Sequence, residues 1–248
     1  MNDIEQNYED FISTVSHELR TPLTSIRGFS QTMLASWDKL DDESKKKFIK
    51  IIEEQSNRLI HLVENMLSVT KLKSNKNLIC YNELSVKQPI EQIISIVKNQ
   101  YPNSKFEFNY KENLPKLFVD KDRFQQILTN LIENSAKYSM GDYPIKIDTK
   151  IENNQVLISV TNIGLGIEEK DYEKIFTKFS RIDNPLTRKV QGSGLGLYIT
   201  KNLVEMMNGK ISVSSKNLND GSNLSEITFK VYMPILTIEE QARIKCNQ

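Results

Sequence analysis

His17 is followed at once by an acid, Glu18, and one turn later by a proline, in the string Phe11-Ile12-Ser13-Thr14-Val15-Ser16-His17-Glu18-Leu19-Arg20-Thr21-Pro22-Leu23. An imidazole whose proton passes to a neighbouring carboxylate is a nucleophile, and a phosphoryl group is within its chemistry. Ile12, Val15, Leu19, Leu23 and Ile26 recur at steps of three and four, the stripe of an amphipathic helix. His17 lies two positions from both Val15 and Leu19, about 200° around that helix, so it belongs on the opposite, solvated face. Pro22 lacks an N–H and predicts a kink. A lone His-Glu pair on a helix is usually no more than a solvated pair. What lies downstream gives this one its weight.

Four further strings could hold a phosphate chain. In Asn130-Leu131-Ile132-Glu133-Asn134-Ser135-Ala136-Lys137-Tyr138-Ser139, helical spacing puts Asn130, Asn134 and Lys137 on one face. Two amide oxygens and an ammonium there suit a hydrated Mg²⁺ and phosphates, although such residues are also common on solvated faces. In Thr161-Asn162-Ile163-Gly164-Leu165-Gly166-Ile167, placed just after a strand, two glycines allow close backbone approach. A lone G-x-G is more often a turn. Ile175-Phe176-Thr177-Lys178-Phe179-Ser180-Arg181 offers two aromatics to anchor a mobile lid and cations to reach phosphate. In Gln191-Gly192-Ser193-Gly194-Leu195-Gly196-Leu197, alternating glycines enter a helix and make a backbone-amide cradle. These glycines do not follow a strand of a βαβ unit, which disfavours a dinucleotide-binding reading.

The elements that must position these groups fall into two regions. Residues 4–37 read as one long helix, broken only at Pro22, and Asp41 or Asp42 can cap a second helix running to Lys73. In it Phe48, Ile52, Gln55, Leu59, Leu62, Met66 and Val69 form a heptad seam. Two helices make a thin core, so a second copy completing a four-helix bundle is expected, a homodimer, although a seam can also dock on its own chain. Beyond the polar stretch at residues 72–77 strands and helices alternate. Ser85 with Gln88 resembles a capping box for a helix to Gln100. Phe106, Phe108 and Tyr110 alternate as a strand, and Asp120 can cap a helix to Ser139. Strands follow at Ile145–Ile151, Val156–Thr161, Lys210–Ser215 and Ser225–Met233. The fold class is α+β: a helical hairpin over residues 1–74, a two-layer α/β sandwich over 75–236, and a tail over 237–248.

Composition narrows the function classes. The chain has 248 residues, 38% hydrophobic and 26% charged, with a net charge of +1. That balance gives no electrostatic case for nucleic acid or an anionic membrane. No apolar run approaches the roughly 18 residues of a membrane span, and the acidic start carries no signal peptide. Cys80 and Cys246 are the only cysteines and read as free thiols in a reducing, cytoplasmic setting. His17 and His61 are the only histidines, so a Cys/His metal site is excluded by count, and His61 reads as a solvated helix position.

In this order and spacing the five strings resemble the H box, N box, first glycine box, F box and second glycine box of two-component sensor histidine kinases. The resemblance covers residues 8–234. It implies an ATP-binding domain of the type shared with gyrase-like, chaperone and mismatch-repair ATPases, and ATP and Mg²⁺ as cofactors. It implies that His17 accepts the γ-phosphoryl group, that Glu18 is the base, and that Thr21 orients a water when phosphate is stripped from the partner. It implies that Asn134, supported by Asn130, holds Mg²⁺, that Lys137 touches phosphate and that Tyr138 contacts the nucleotide. Phe176, Phe179 and Arg181 belong to the lid, and Gly164 and Gly166 lie near adenine. Gly192, Gly194, Leu195 and Gly196 wrap the phosphates. The implied partner is the receiver domain of a response regulator, whose aspartate takes the phosphoryl group.

Two features depart from the family's pattern. Its first glycine box opens with an aspartate that accepts from the adenine amine, and here Asn162 stands there. The amide still accepts but loses charge assistance, about 1 kcal/mol or roughly tenfold in ATP affinity. It can also turn over and donate, which predicts relaxed purine selectivity. The second is that about ten residues precede the H box, where such kinases carry a sensor and often a membrane span. The chain is therefore read as a fragment, membrane-associated through that missing region, or as a kinase that senses through a partner. The rival reading is a catalytically weak or inactive dimeric interaction module, with Asn162 as its mark. An ATPase of another kind is disfavoured by the H box.

Overall fold

The computed structural model describes residues 2–74, 79–180 and 193–246 and divides into two compact units, residues 1–70 and 71–248. The first unit is a hairpin of α1 (Asn2–Ser36) and α2 (Asp42–Ser74), joined by a 3-10 turn at Trp37–Lys39. Asp41 opens α2, its Oδ1 accepting from Ser44 N at 2.6 Å. That hydrogen bond holds the Asp41 carboxyl below its ordinary value. All seven α2 seam positions, Phe48 to Val69, are shielded, with Leu62 and Val69 buried.

The α1 side of the seam differs from the expected stripe. Val15, Leu19, Pro22, Ile26, Phe29 and Met33, a strict four-three alternation, are all shielded. Pro22 is buried, whereas Leu23 is 53% exposed. Helix α1 continues through Pro22. Phe29 and Phe48 meet across the hairpin with centroids 5.1 Å apart.

The second unit is built on a five-stranded sheet, order β2-β4-β5-β7-β6: β2 (Phe106–Asn109), β4 (Ile145–Glu152), β5 (Gln155–Leu165), β6 (Lys210–Asn217) and β7 (Leu224–Pro234). The β2–β4 pair is parallel and the others antiparallel. Ile145 and Ile147 of β4 face the core while Lys146 faces out, the period-2 pattern of a sheet covered on one side. The covering layer is α3 (Lys87–Gln100), α4 (Lys121–Tyr138) and α5 (Gly196–Met206). Its apolar faces carry Ile90, Ile93 and Val97, then Phe124, Ile127, Leu128, Leu131 and Ile132, then Ile199, Leu203 and Val204, all buried. Hydrophobic transfer of these side chains drives the assembly, at about 1.5–3 kcal/mol each.

Some local expectations are replaced. Ser85 does not cap α3; the N-cap is Val86, which makes no side-chain cap bond. A second, two-stranded sheet pairs β1 (Tyr81–Leu84) with β3 (Leu117–Asp120), and neither four-residue strand was expected from the sequence. β3 is buried throughout, so it shows no alternation to read. The tail carries a helix, α6 (Ile238–Cys246), opened by a Thr237–Glu240 capping box. Among the described residues no helix is long and apolar enough to cross a membrane.

Candidate functional site

His17 is exposed on α1, opposite the shielded seam. One turn on, Thr21 Oγ1 donates to the His17 carbonyl at 3.4 Å. Glu18 is half-buried, and Arg58 of α2 donates from Nη2 to its Oε2 at 3.2 Å. The acid beside the histidine is therefore tethered across the hairpin by a charge-assisted bond. Sequence reasoning missed Arg58. Its signal was an arginine directly before the seam residue Leu59, at a position able to face the other helix.

In the second unit, α4 carries the N-box residues, and Asp120 fixes where α4 begins. Its Oδ1 accepts from Asp122 N and Arg123 N, both at 3.0 Å, and its Oδ2 from Cys80 N at 2.9 Å. An acceptor at this position satisfies amides that the helix leaves unpaired. One face of α4 enters the core, and the adjoining face presents Asn130, Asn134 and Lys137, all partly exposed. Asn130 Nδ2 donates to Gly196 O and Thr200 Oγ1, each at 3.3 Å. Its amide thus ties the N box to the first turn of α5. The Lys137 ammonium lies 5.7 Å from the centroid of the Tyr138 ring.

The glycines mark close approaches. A Cβ on Gly164 would stand 2.5 Å from Tyr138 O, so only glycine lets β5 meet the end of α4 here. Met140 N donates to Ile163 O at 2.8 Å along the same seam. Asn162 and Gly164 lie within β5, which runs on through Leu165, rather than in a turn after it. A Cβ on Gly166 would meet Ser225 Oγ at 2.6 Å. The next residue, Ile167, donates its N–H to Ser215 Oγ at 3.1 Å, and Tyr172 OH accepts from Ser215 N at 2.7 Å. Gly194 has φ +67°, and a Cβ there would stand 2.7 Å from the Phe179 carbonyl carbon. The second glycine box thus packs against the end of the F box.

Within the F box, Phe176 is buried and meets Phe229 edge-on at 6.5 Å. Phe179 sits at φ 57°, a left-handed conformation uncommon for an aromatic. Leu195 is fully buried and precedes α5 without a side-chain cap, so the first amides of that helix are not closed off by its N-cap. Lys178 lies 5.3 Å over the Tyr198 ring. Burial raises the Tyr198 and Tyr101 phenols above their ordinary value, and Glu133 adds to the rise at Tyr101. Arg181 and Gly192 lie outside the described residues.

Among the described residues two buried side-chain atoms have no hydrogen-bond partner: Asn162 Nδ2 on β5 and Ser135 Oγ on α4. Among the described residues no group of three or more His, Cys, Asp or Glu could cage a metal ion. The partly exposed carboxamide of Asn134 suits instead a Mg²⁺ that arrives on phosphate oxygens and keeps several waters.

Known proteins match both units. Residues 8–75 match the His Kinase A (phospho-acceptor) domain, and residues 119–235 match the histidine kinase-, DNA gyrase B-, and HSP90-like ATPase family. Over 219 residues the chain is 33% identical to the signal transduction histidine-protein kinase ArlS of Staphylococcus haemolyticus, taking in 87% of this chain and 48% of that protein. The chain spans about half the length of the curated relatives it matches. Histidine kinase ThkA, solved in complex with the response regulator protein TrrA, shares the fold with TM-score 0.70 and 25% identity, over 94% of this chain and 64% of that one. The Acinetobacter baumannii histidine kinase AdeS shares the fold with TM-score 0.65 and 23% identity, over 89% of this chain and 98% of that one. Carrying a phosphoacceptor hairpin followed by this ATPase-type domain, the chain belongs to the two-component sensor histidine kinases, of whose catalytic core it has the two domains.

Proposed function

We propose that this chain binds Mg·ATP, phosphorylates His17 and passes the phosphoryl group to an aspartate of a response regulator. The observation that carries the reading is an exposed His17 whose neighbouring acid is held by Arg58, in one chain with the Asn130–Asn134–Lys137 face. One ring nitrogen of His17 attacks the γ-phosphorus while the proton on the other passes to Glu18. The bond from the γ-phosphorus to the bridging oxygen breaks, and ADP leaves with that electron pair. Phosphoryl transfer needs mainly positioning and charge neutralisation. Asn134 and Lys137 supply both on α4, with Mg²⁺ neutralising phosphate charge when bound. The first turn of α5 offers its backbone amides to phosphate oxygens. In the second transfer the P–N bond to His17 breaks as a receiver carboxylate attacks. For the reverse task, removal of phosphate from the regulator, Thr21 holds the attacking water.

The working unit is a homodimer. Ile12, Leu23 and Leu34 recur every eleven residues on α1 and are exposed, as are Ile49, Ile60, Val63 and Leu67 on α2. A second copy would cover these stripes and complete a four-helix bundle. The response regulator as partner is supported by the ThkA–TrrA complex. The site of action is the cytoplasmic side, with any sensor supplied by the rest of a longer protein or by a partner. Asn162 favours a second reading, a weakened kinase serving as a dimeric signalling module.

The test uses γ-labelled ATP with the parent chain and the Asn134→Ala and Lys137→Ala variants. Label retained by the parent and lost by about tenfold or more in both variants supports the reading. Equal labelling of all three would refute the assigned nucleotide face.

A further inference from the structure

We propose that the nucleotide site accepts 6-oxopurine nucleoside triphosphates, ITP and GTP, as well as ATP. The inference rests on the nucleotide-site reading above and adds its base specificity.

Asn162 is 3% exposed, lies inside β5 and has, among the described residues, no hydrogen-bond partner for Nδ2. Buried donors in folded proteins are almost always paired, and an exception calls for a ligand or water. Ser135, 1% exposed on α4, likewise has no partner for Oγ among the described residues. The two orphans sit on different elements that meet along one seam, where Met140 N donates to Ile163 O and Gly164 approaches Tyr138 O. A Cβ on Gly164 would lie 3.3 Å from Asn162 Nδ2. A side chain at position 164 would therefore press against that buried amide, and glycine avoids this.

The chemistry of the base edge decides what this floor admits. A 6-aminopurine presents a donor at its exocyclic amine and an acceptor at N1. A 6-oxopurine presents the reverse, an acceptor at O6 and a donor at N1. A carboxylate at position 162 could only accept, so it would favour the amine and repel O6. A carboxamide carries one acceptor and two donors and serves either edge after a half-turn. A serine hydroxyl also donates or accepts as needed. Neither orphan commits the floor to adenine, and the unpaired Nδ2 needs an acceptor in particular. N1 of adenine or O6 of hypoxanthine or guanine would supply it.

The experiment measures calorimetric affinities of Mg·ATP, Mg·ITP and Mg·GTP for the parent chain and for Asn162→Asp, with thermal melts of both proteins. ITP lacks the 2-amino group of GTP, so it reads position 6 alone. The parent is expected to bind ITP within about tenfold of ATP, and Asn162→Asp to widen that ratio by about tenfold or more. Ser135→Ala is expected to weaken ATP and ITP alike by about threefold. A parent chain that prefers ATP over ITP by a hundredfold overturns the proposal, and that ratio is read without any variant. Equal ratios in parent and Asn162→Asp also overturn it. If no nucleotide binds either folded protein, the nucleotide-site reading itself fails. ATP binding without ITP binding sinks only the inference drawn here.

Discussion

Replacing Asp120 with alanine removes the acceptor for three backbone N–H groups at once. Two belong to the first turn of α4, Asp122 N and Arg123 N, and the third is Cys80 N, just before β1. The carboxylate is 8% exposed, so water replaces it poorly. Loss of the N-cap costs about 1 kcal/mol, and loss of the charge-assisted bond from Cys80 about 2 kcal/mol more. For a domain of this size about 3 kcal/mol lowers the melting temperature by roughly 6–12 °C. Asp120→Asn retains one acceptor for the cap but turns a donor or a weaker acceptor toward Cys80, so about half the loss is expected. The assay is scanning calorimetry of the full chain, read on the transition of the α/β unit. A melt of Asp120→Ala within about 2 °C of the parent would refute the cap account. Equal losses in both variants would show that the Cys80 bond dominates rather than the helix start. The consequence for function is direct, because α4 presents Asn130, Asn134 and Lys137. A frayed start is expected to raise the apparent KM for ATP more than it lowers kcat.

Three further outcomes are expected. Arg58→Ala releases Glu18, costing the hairpin about 1 kcal/mol and slowing His17 phosphorylation by about tenfold with the KM for ATP unchanged. Arg58→Lys should recover part of that rate in a phosphorylation time course, and an unchanged rate in the alanine variant would remove Arg58 from any positioning role. Gly164→Ala places a Cβ 2.5 Å from Tyr138 O, backbone against backbone, and should weaken ATP binding about tenfold or more with a loss of about 1–3 kcal/mol in stability; unaltered binding by calorimetry would show that β5 and α4 separate freely. Burial, and then the Asp120 charge, raise the Tyr81 phenol above its ordinary value of 10.0, so the unfolded chain loses that proton first. The stability Tyr81 contributes is therefore complete below about pH 10 and is lost as pH rises through the higher native value. Tyr81→Phe should flatten the alkaline limb of a stability-against-pH curve, and an unaltered limb would contradict the assignment.

Much of the architecture was legible because its signals are periodic. The α2 seam from Phe48 to Val69 follows a heptad, and the Asp120 cap announces α4 from the type of residue that precedes it. The turn joining β4 to β5 was legible from the asparagines between them, whereas β5 runs four residues past its expected end at Thr161. What was hidden has physical reasons. β3 is buried on both faces, so its four residues show no period. Pro22 carries no helix-forming signal, yet it is buried in the seam where Leu23 was expected. Ser85 looks like a cap, but α3 starts two residues later. At the site, helical spacing put Asn130, Asn134 and Lys137 on one face of a helix, and α4 carries all three. The Arg58–Glu18 pair and the burial of the Ser135 hydroxyl depend on contacts between elements, which spacing does not encode.

The measurement that tests the central claim most directly is to locate the phosphate. The parent chain is incubated with Mg·ATP, digested at alkaline pH and mapped by mass spectrometry, with His17→Ala as control. The account predicts one acid-labile, base-stable phosphate on the peptide that contains His17, absent from the control. A phosphate elsewhere, or the same phosphate in His17→Ala, would contradict it.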